Sequence, residues 1–202
     1  MIEYALEHPD KLGKALLEHL EMVTISLMFS LIVAFILTVL AMYSKTVSNI
    51  LVHIFSVIYT IPSLAVFAVM IPVTGLGTET AVIVLVLYNQ YLLLRNFIAG
   101  LNHVDPSIIE AATGMGMRTI QVFFQVRLPL SKKAIFTGIR LAVVSTIGMA
   151  TIAALINAGG LGDILLDGLR TLNVDKMVWG SVLSAGLAIG VNALFIQIEK
   201  KL

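Results

Sequence analysis

Few residues in this chain could do covalent chemistry, and they are scattered. There is no H-E-x-x-H, no G-x-S-x-G and no Walker-type phosphate loop. Cysteine is absent, so a thiol nucleophile, a thiolate metal site and a disulfide are all excluded. The four histidines, His8, His19, His53 and His103, have no ligand spacing, and no metal site is expected. What stands out is Glu110 to Pro129, EAATGMGMRTIQVFFQVRLP, a polar, glycine-rich and basic island in an apolar chain. A carboxylate, small residues and hinge glycines at fixed spacing suit the chemistry of docking.

The surrounding residues predict how that island is held. Asp105 can cap a helix and Pro106 suits its first position. Glu110 then falls near the positive helix end. Ala111 and Ala112 make a small-residue patch where another surface can come close. Gly114 and Gly116 are expected to break the helix. A second amphipathic stretch carries Val122, Phe123 and Val126 among Arg118, Gln121, Gln125 and Arg127. Pro129, after Leu128, is expected to end it. Segment 105–129 thus reads as two short helices around a glycine hinge, lying against the membrane face. An ordinary amphipathic interfacial loop has the same composition.

The rest of the chain sets the solvent. Of 202 residues, 58% are hydrophobic and only 12% charged, and mean hydropathy is +0.99. A soluble domain of this size could not hide so much apolar surface, so the solvent is a bilayer. The expectation is one all-α membrane domain over 1–202. Its five spans lie at about 22–44, 51–73, 80–99, 134–158 and 177–198. No period-two alternation supports a barrel. The acidic, mixed N-terminal stretch does not read as a signal peptide. Net charge is +1 with no basic run interleaved with aromatics, and no nucleic-acid partner is expected.

Orientation follows from the basic residues. Lys45, Arg118, Arg127, Lys132, Lys133, Lys200 and Lys201 fall on one side. Lys11, Lys14, Arg170 and Lys176 fall on the other, with acids such as Glu3, Glu18, Asp163 and Asp167. The first side is expected in the cytoplasm, which puts the N-terminus outside, the C-terminus inside and segment 105–129 in the cytoplasm.

Polar residues within spans mark a second set of positions. Pro62 and Pro72 should kink the second span beside a central route, with Ser63 turned inward, or be kinks that neighbouring helices tolerate. Tyr88, Asn89, Gln90 and Tyr91 either bond between helices or line the route. Aromatic faces and amide oxygens suit a methylated cation. Arg95 and Arg140 either snorkel to the cytoplasmic face or organise a gate. Ser145, Thr146 and Thr151 could also face the route. After the fourth span, Gly159, Gly160, Gly162 and Asp163 open an outer-face loop. This loop forms either a docking element for a binding protein or a plug between subunits.

The island's spacing is E-A-A, three residues, Gly116, nine residues, Val126, one residue, Leu128-Pro129. It resembles the EAA motif of permease subunits of type I ABC importers, with Val126 where that family has Ile. The resemblance implies that Glu110, Ala111, Ala112, Gly116, Val126, Leu128 and Pro129 form the coupling helices that sit in a groove of the ATPase. E-H-L at Glu18 to Leu20, I-P-S-L-A from Ile61, L-R-N from Leu94, G-I-R from Gly138 and A-G-G-L-G-D from Ala158 resemble osmoprotectant importer permeases. That branch handles glycine betaine, carnitine and choline. Methionine importer permeases look similar at G-G-L-G-D, so methionine or another amino acid is the alternative cargo. A channel or assembly subunit without ATP coupling is the further alternative. The resemblance implies two ATP-binding subunits that hold ATP and Mg, a second permease, identical or related, and an extracytoplasmic binding protein. It also implies a multi-pass place in the bacterial plasma membrane. No cofactor is expected in this chain.

Overall fold

The computed structural model describes residues 2–201, with side chains from Tyr4 to Lys201, so the side chain of Glu3 lies outside the described residues. Among these residues the structure is helical, with no strand. Helix α1 (Ile2–Glu7) leads into α2 (Pro9–Met42), a continuous helix of 34 residues with Pro9 at its first position. At 1.5 Å per residue α2 is roughly 51 Å long, against an apolar layer of ~30 Å. The first span is therefore one part of a longer helix.

The second span departs from the single kinked helix expected over 51–73. The chain forms α3 (Lys45–Thr60) and α4 (Ser63–Thr74), bent from each other by 97°. Pro62 has no N–H and drives the preceding Ile61 into extended backbone, φ −70° and ψ 134°, which stops α3. Pro72 falls in the last turn of α4 and leaves it unbroken.

Helix α5 (Thr78–Asn102) is the third span. The connection after it holds α6 (Pro106–Gly114), α7 (Thr119–Val122), a π-helical turn at Phe123–Arg127 and α8 (Leu128–Leu130). Helix α9 (Lys132–Ile152) is extended by a 3₁₀ turn at Ala153–Ile156. Helix α10 (Leu161–Thr171) and α11 (Val174–Glu199) complete the chain. Among the described residues four helices are long and apolar enough to cross a membrane, and there are up to five spans if the bent α3–α4 pair counts as one.

Helix α5 is central and packs against α2, α3, α4 and α9. The main core joins Met22 of α2, Phe67 of α4, Leu85 and Tyr88 of α5, and Ile147 of α9. Burial in lipid gives helices no hydrophobic reason to associate, so close packing of small residues matters more. On α2, Ser26, Ser30, Ala34 and Thr38 are buried at every fourth residue. On α5, a Cβ at Gly100 would stand 2.6 Å from the Ala134 Cβ of α9. A Cβ at Gly138 of α9 would stand 2.7 Å from that of Asn96. Helix α11 buries only Gly180, which meets Leu165 of α10.

Candidate functional site

The segment between α5 and α9 begins as expected. The Ser107 N–H donates to the Asp105 carboxylate at 2.9 Å, and Pro106 follows the cap. That bond holds the Asp105 carboxyl below the usual carboxylate range. The two alanines of α6 then part company. Glu110 and Ala111 are exposed, whereas Ala112 is buried against the chain itself, so the expected alanine patch is half as wide.

The glycines also divide. Helix α6 runs through Gly114 in ordinary helical geometry, and Gly116 alone takes a left-handed φ of +88°. The Gly116 N–H donates to the Thr113 carbonyl at 2.9 Å and the Met117 N–H to the Ala112 carbonyl at 3.2 Å. This is a Schellman turn, and its left-handed position favours glycine.

Pro129 does not end the second arm, contrary to expectation. Helical backbone continues from Thr119 to Leu130 and breaks at Ser131, φ −94° and ψ 1°. In α-helical register the Pro129 ring would strike the carbonyl four residues back. The turn before it is instead widened, and the Leu128 N–H donates to the Phe123 carbonyl, five residues back. Val122 and Phe123 are buried, Val126 and Leu128 half-buried, and Pro129 exposed. Behind this arm lies an apolar groove of about 370 Å³, lined by Phe35 and Val39 of α2 and Tyr43 just after it, with Ile120, Phe124 and Arg127. The arm's end seats on α5, since a Cβ at Gly100 would lie 3.5 Å from the Ser131 Cβ.

A polar seam runs through the bundle behind the segment. The Asn89 Nδ2 donates to the Ser30 Oγ at 3.1 Å, and the Asn89 Oδ1 accepts from the Thr146 hydroxyl at 3.0 Å. The Gln90 Nε2 donates to the Ser30 carbonyl at 3.3 Å and to that of Val86 at 3.0 Å. Asn89, Gln90 and Thr146 are fully buried and tie α5 to α2 and α9. Tyr88 is buried too, and its hydroxyl donates to the Ile61 carbonyl, which the break before Pro62 left without a helical partner. Pro62 is exposed, Ser63 and Tyr91 half-exposed, and Arg95 exposed.

The two span arginines stand apart. The Arg95 Nη1 donates to the Tyr91 hydroxyl at 2.8 Å, and its guanidinium lies 5.8 Å from the Tyr91 ring centre. The Arg140 Nε lies 3.6 Å from the Glu199 carboxylate, which also accepts from the Thr137 hydroxyl at 2.8 Å. That pair ties α9 to the far end of α11. Glu199 carries no signal of this role in the sequence. A charge inside an apolar segment calls for a partner, but nothing in the sequence says which of twelve acids supplies it.

At the opposite end of the bundle, Gly159 and Gly160 both have left-handed φ, +80° and +79°. The Gly160 N–H donates to the Glu18 carboxylate at 3.2 Å. A Cβ there would stand 3.0 Å from the ring of His19, whose Nε2 bonds the Ile147 carbonyl at 3.2 Å. Gly162 has no room for a side chain beside the Thr151 carbonyl. Asp163 rims a polar pocket of about 520 Å³ with Lys14, Glu18 and Arg170. Burial, and then the Glu18 carboxylate, push the Asp163 carboxyl above its ordinary range. Asp167 is held below its own range, first by the Lys176 ammonium at 2.9 Å and further by Lys11 at 3.4 Å.

The fold and its connecting segment define a multi-pass membrane transport subunit. Residues 22–201 match the binding-protein-dependent transport system inner membrane component family, and the chain belongs to it. It is similar to the carnitine transport permease protein OpuCB of Listeria monocytogenes, 39% identical over 79% of this chain and 73% of the relative. It is 33% identical to the choline transport system permease protein OpuBB of Bacillus subtilis, over 92% of this chain and 85% of the relative. Among solved structures, the inward-facing MetNI methionine ABC transporter superposes with a TM-score of 0.82 at 23% identity, covering 95% of both chains. The chain is thus the inner-membrane permease subunit of an ABC importer, with ATP hydrolysis left to a separate subunit.

Proposed function

We propose that this permease imports osmoprotectants, quaternary amines such as glycine betaine, carnitine or choline. Its likeness to carnitine and choline permeases, at 39% and 33% identity, carries the cargo class. The methionine importer shares the fold at 23% identity, which speaks for architecture and not for cargo.

Two ATP-binding subunits hold ATP and Mg below the membrane. A second permease, identical or related, completes the path, and an extracytoplasmic binding protein delivers cargo. The N-terminus lies outside and the C-terminus inside. The basic residues Lys45, Arg118, Arg127, Lys132 and Lys133 support this orientation, since they cluster around the connecting segment. Glu110, Ala111 and the Gly116 turn meet the ATPase. When ATP closes the ATPases, the arm from Thr119 to Leu130 carries the motion to Ser131, where it bears on α5 and α9. The seam of Asn89, Ser30 and Thr146 makes α2, α5 and α9 move as one body. The bent α3–α4 pair and α11 then move against that body.

The test is cargo-stimulated ATP hydrolysis by the complex reconstituted with its binding protein. Stimulation by a quaternary amine, lost in Glu110→Lys while the ATPase stays bound, is the expected result. Stimulation by methionine alone overturns the cargo. Full stimulation in Glu110→Lys overturns the coupling role of the segment.

A further inference from the structure

Helix α3 carries polar residues at Asn49, His53, Ser56 and Thr60, spaced four, three and four apart, so they share one face. The opposite face is apolar, and Leu51 and Phe55 pack against Leu94 and Ile98 of α5. The polar face opens on a cleft of about 750 Å³, whose other wall is Tyr91, Arg95 and Asn102. A polar face and an arginine in a membrane-spanning region are costly against lipid and belong beside water. The lining holds one guanidinium and no carboxylate. Among the described residues Arg95 makes no ion pair, and its guanidinium donates to the Tyr91 hydroxyl. Tyr91 in turn faces Tyr59 of α3 at 4.9 Å.

We infer that this cleft is a transit site for a zwitterion whose carboxylate meets Arg95 and whose methylated ammonium meets the ring of Tyr91, which Tyr59 backs. The inference rests on the osmoprotectant reading and narrows it to cargo with a carboxylate. A guanidinium suits a carboxylate, which accepts from two of its N–H groups together. A methylated ammonium has no N–H to donate and binds aromatic faces. The Arg95 guanidinium occupies the Tyr91 ring when the cleft is empty, so cargo carboxylate draws it away as the ring receives the ammonium. A cation without a carboxylate finds the ring and is repelled by the arginine. The site is weak because one charge and one ring hold the cargo, and weak holding favours onward release. The cleft lies at the end of α3 and α5 that adjoins the coupling segment.

The test compares uptake of glycine betaine with uptake of choline into vesicles carrying the whole complex, with the same binding protein throughout. Arg95→Gln is expected to lower the betaine-to-choline ratio about tenfold, with Arg95→Lys restoring most of it. Tyr91→Leu is expected to lower both cargos together. An unchanged ratio in Arg95→Gln, or an equal loss of both cargos, overturns the inference. Should Arg95→Gln fail to assemble, the absence of native cysteine allows a second measurement. Ser56→Cys is expected to react with a membrane-impermeant thiol reagent, and glycine betaine is expected to protect it more than choline. No reaction, or equal protection, overturns the inference. Failure of the osmoprotectant reading looks different, because the unsubstituted complex then takes up neither cargo.

Discussion

The Glu18 carboxylate accepts a hydrogen bond from the Gly160 N–H at 3.2 Å, across 142 residues of chain. The first third of α2 is thereby fastened to the turn that follows α9. Gly160 stands at φ +79°, and a Cβ there would press on His19. Gly160→Ala is expected to cost about 1–3 kcal/mol through strain and overpacking. Thermal unfolding of the purified complex reads this directly. Gly148→Ala, which meets open space within a helix, should leave the midpoint unchanged or raise it slightly.

The buried seam makes a second prediction. Thr146→Val keeps the shape of the side chain but removes the donor to the Asn89 Oδ1. The expected loss is about 0.6–2 kcal/mol, the range for hydrogen bonds between membrane helices. Combined with Ser30→Ala it should not be additive, because both substitutions act on Asn89. Simple additivity in a double-mutant cycle would separate the two contacts.

The two glycines of the segment between α5 and α9 should respond differently. Gly116→Ala forces a Cβ into left-handed backbone and is expected to cost about 1–2 kcal/mol. It should also lower cargo-stimulated ATP hydrolysis. Gly114→Ala adds a helix-favouring residue in helical geometry and should leave stimulation intact. Equal sensitivity at both positions would argue against the hinge being at Gly116.

The two acids of α10 should give opposite pH dependences. The Asp167 carboxyl is held below its unfolded value by Lys176 and Lys11. Its contribution is therefore full above about pH 4 and is lost as the pH falls through the folded value. Asp167→Asn should unfold at lower temperature at neutral pH, with the gap closing in acid. The Asp163 carboxyl is held above its unfolded value. Ionised Asp163 therefore costs stability at neutral pH, and the cost fades as it protonates. Asp163→Asn should be the more stable variant at pH 7, with no advantage near pH 4.

What the sequence could show follows from how local each signal is. Long apolar runs mark spans whatever they pack against, and 80–99 lies within α5 almost end to end. The Asp105 cap and the Gly116 turn are settled within a few residues, so they too were legible. The Pro62 break was visible as a kink, but its 97° depends on what Phe67 and Tyr88 pack against. The Arg140–Glu199 and Asn89–Ser30 pairs join residues 59 apart, and no periodicity reports such distances. Ala112 turned inward because α7 and the π-helical turn fold back on α6, which again is tertiary. The π-helical turn had one local hint, Pro129, read as a stop when the chain could instead widen and continue.

That widened turn has a consequence for phase. A helix advances about 100° per residue, so one surplus residue at Phe123–Arg127 resets the angular position of everything after it. Helix α6 and the start of α9 keep their present alignment only with that residue counted in. Removing one residue between Phe123 and Arg127 would leave composition and apolarity almost untouched. It would nonetheless turn the downstream chain by more than a quarter of a circle relative to Glu110. This stretch behaves as a ruler in which residue number matters more than residue type.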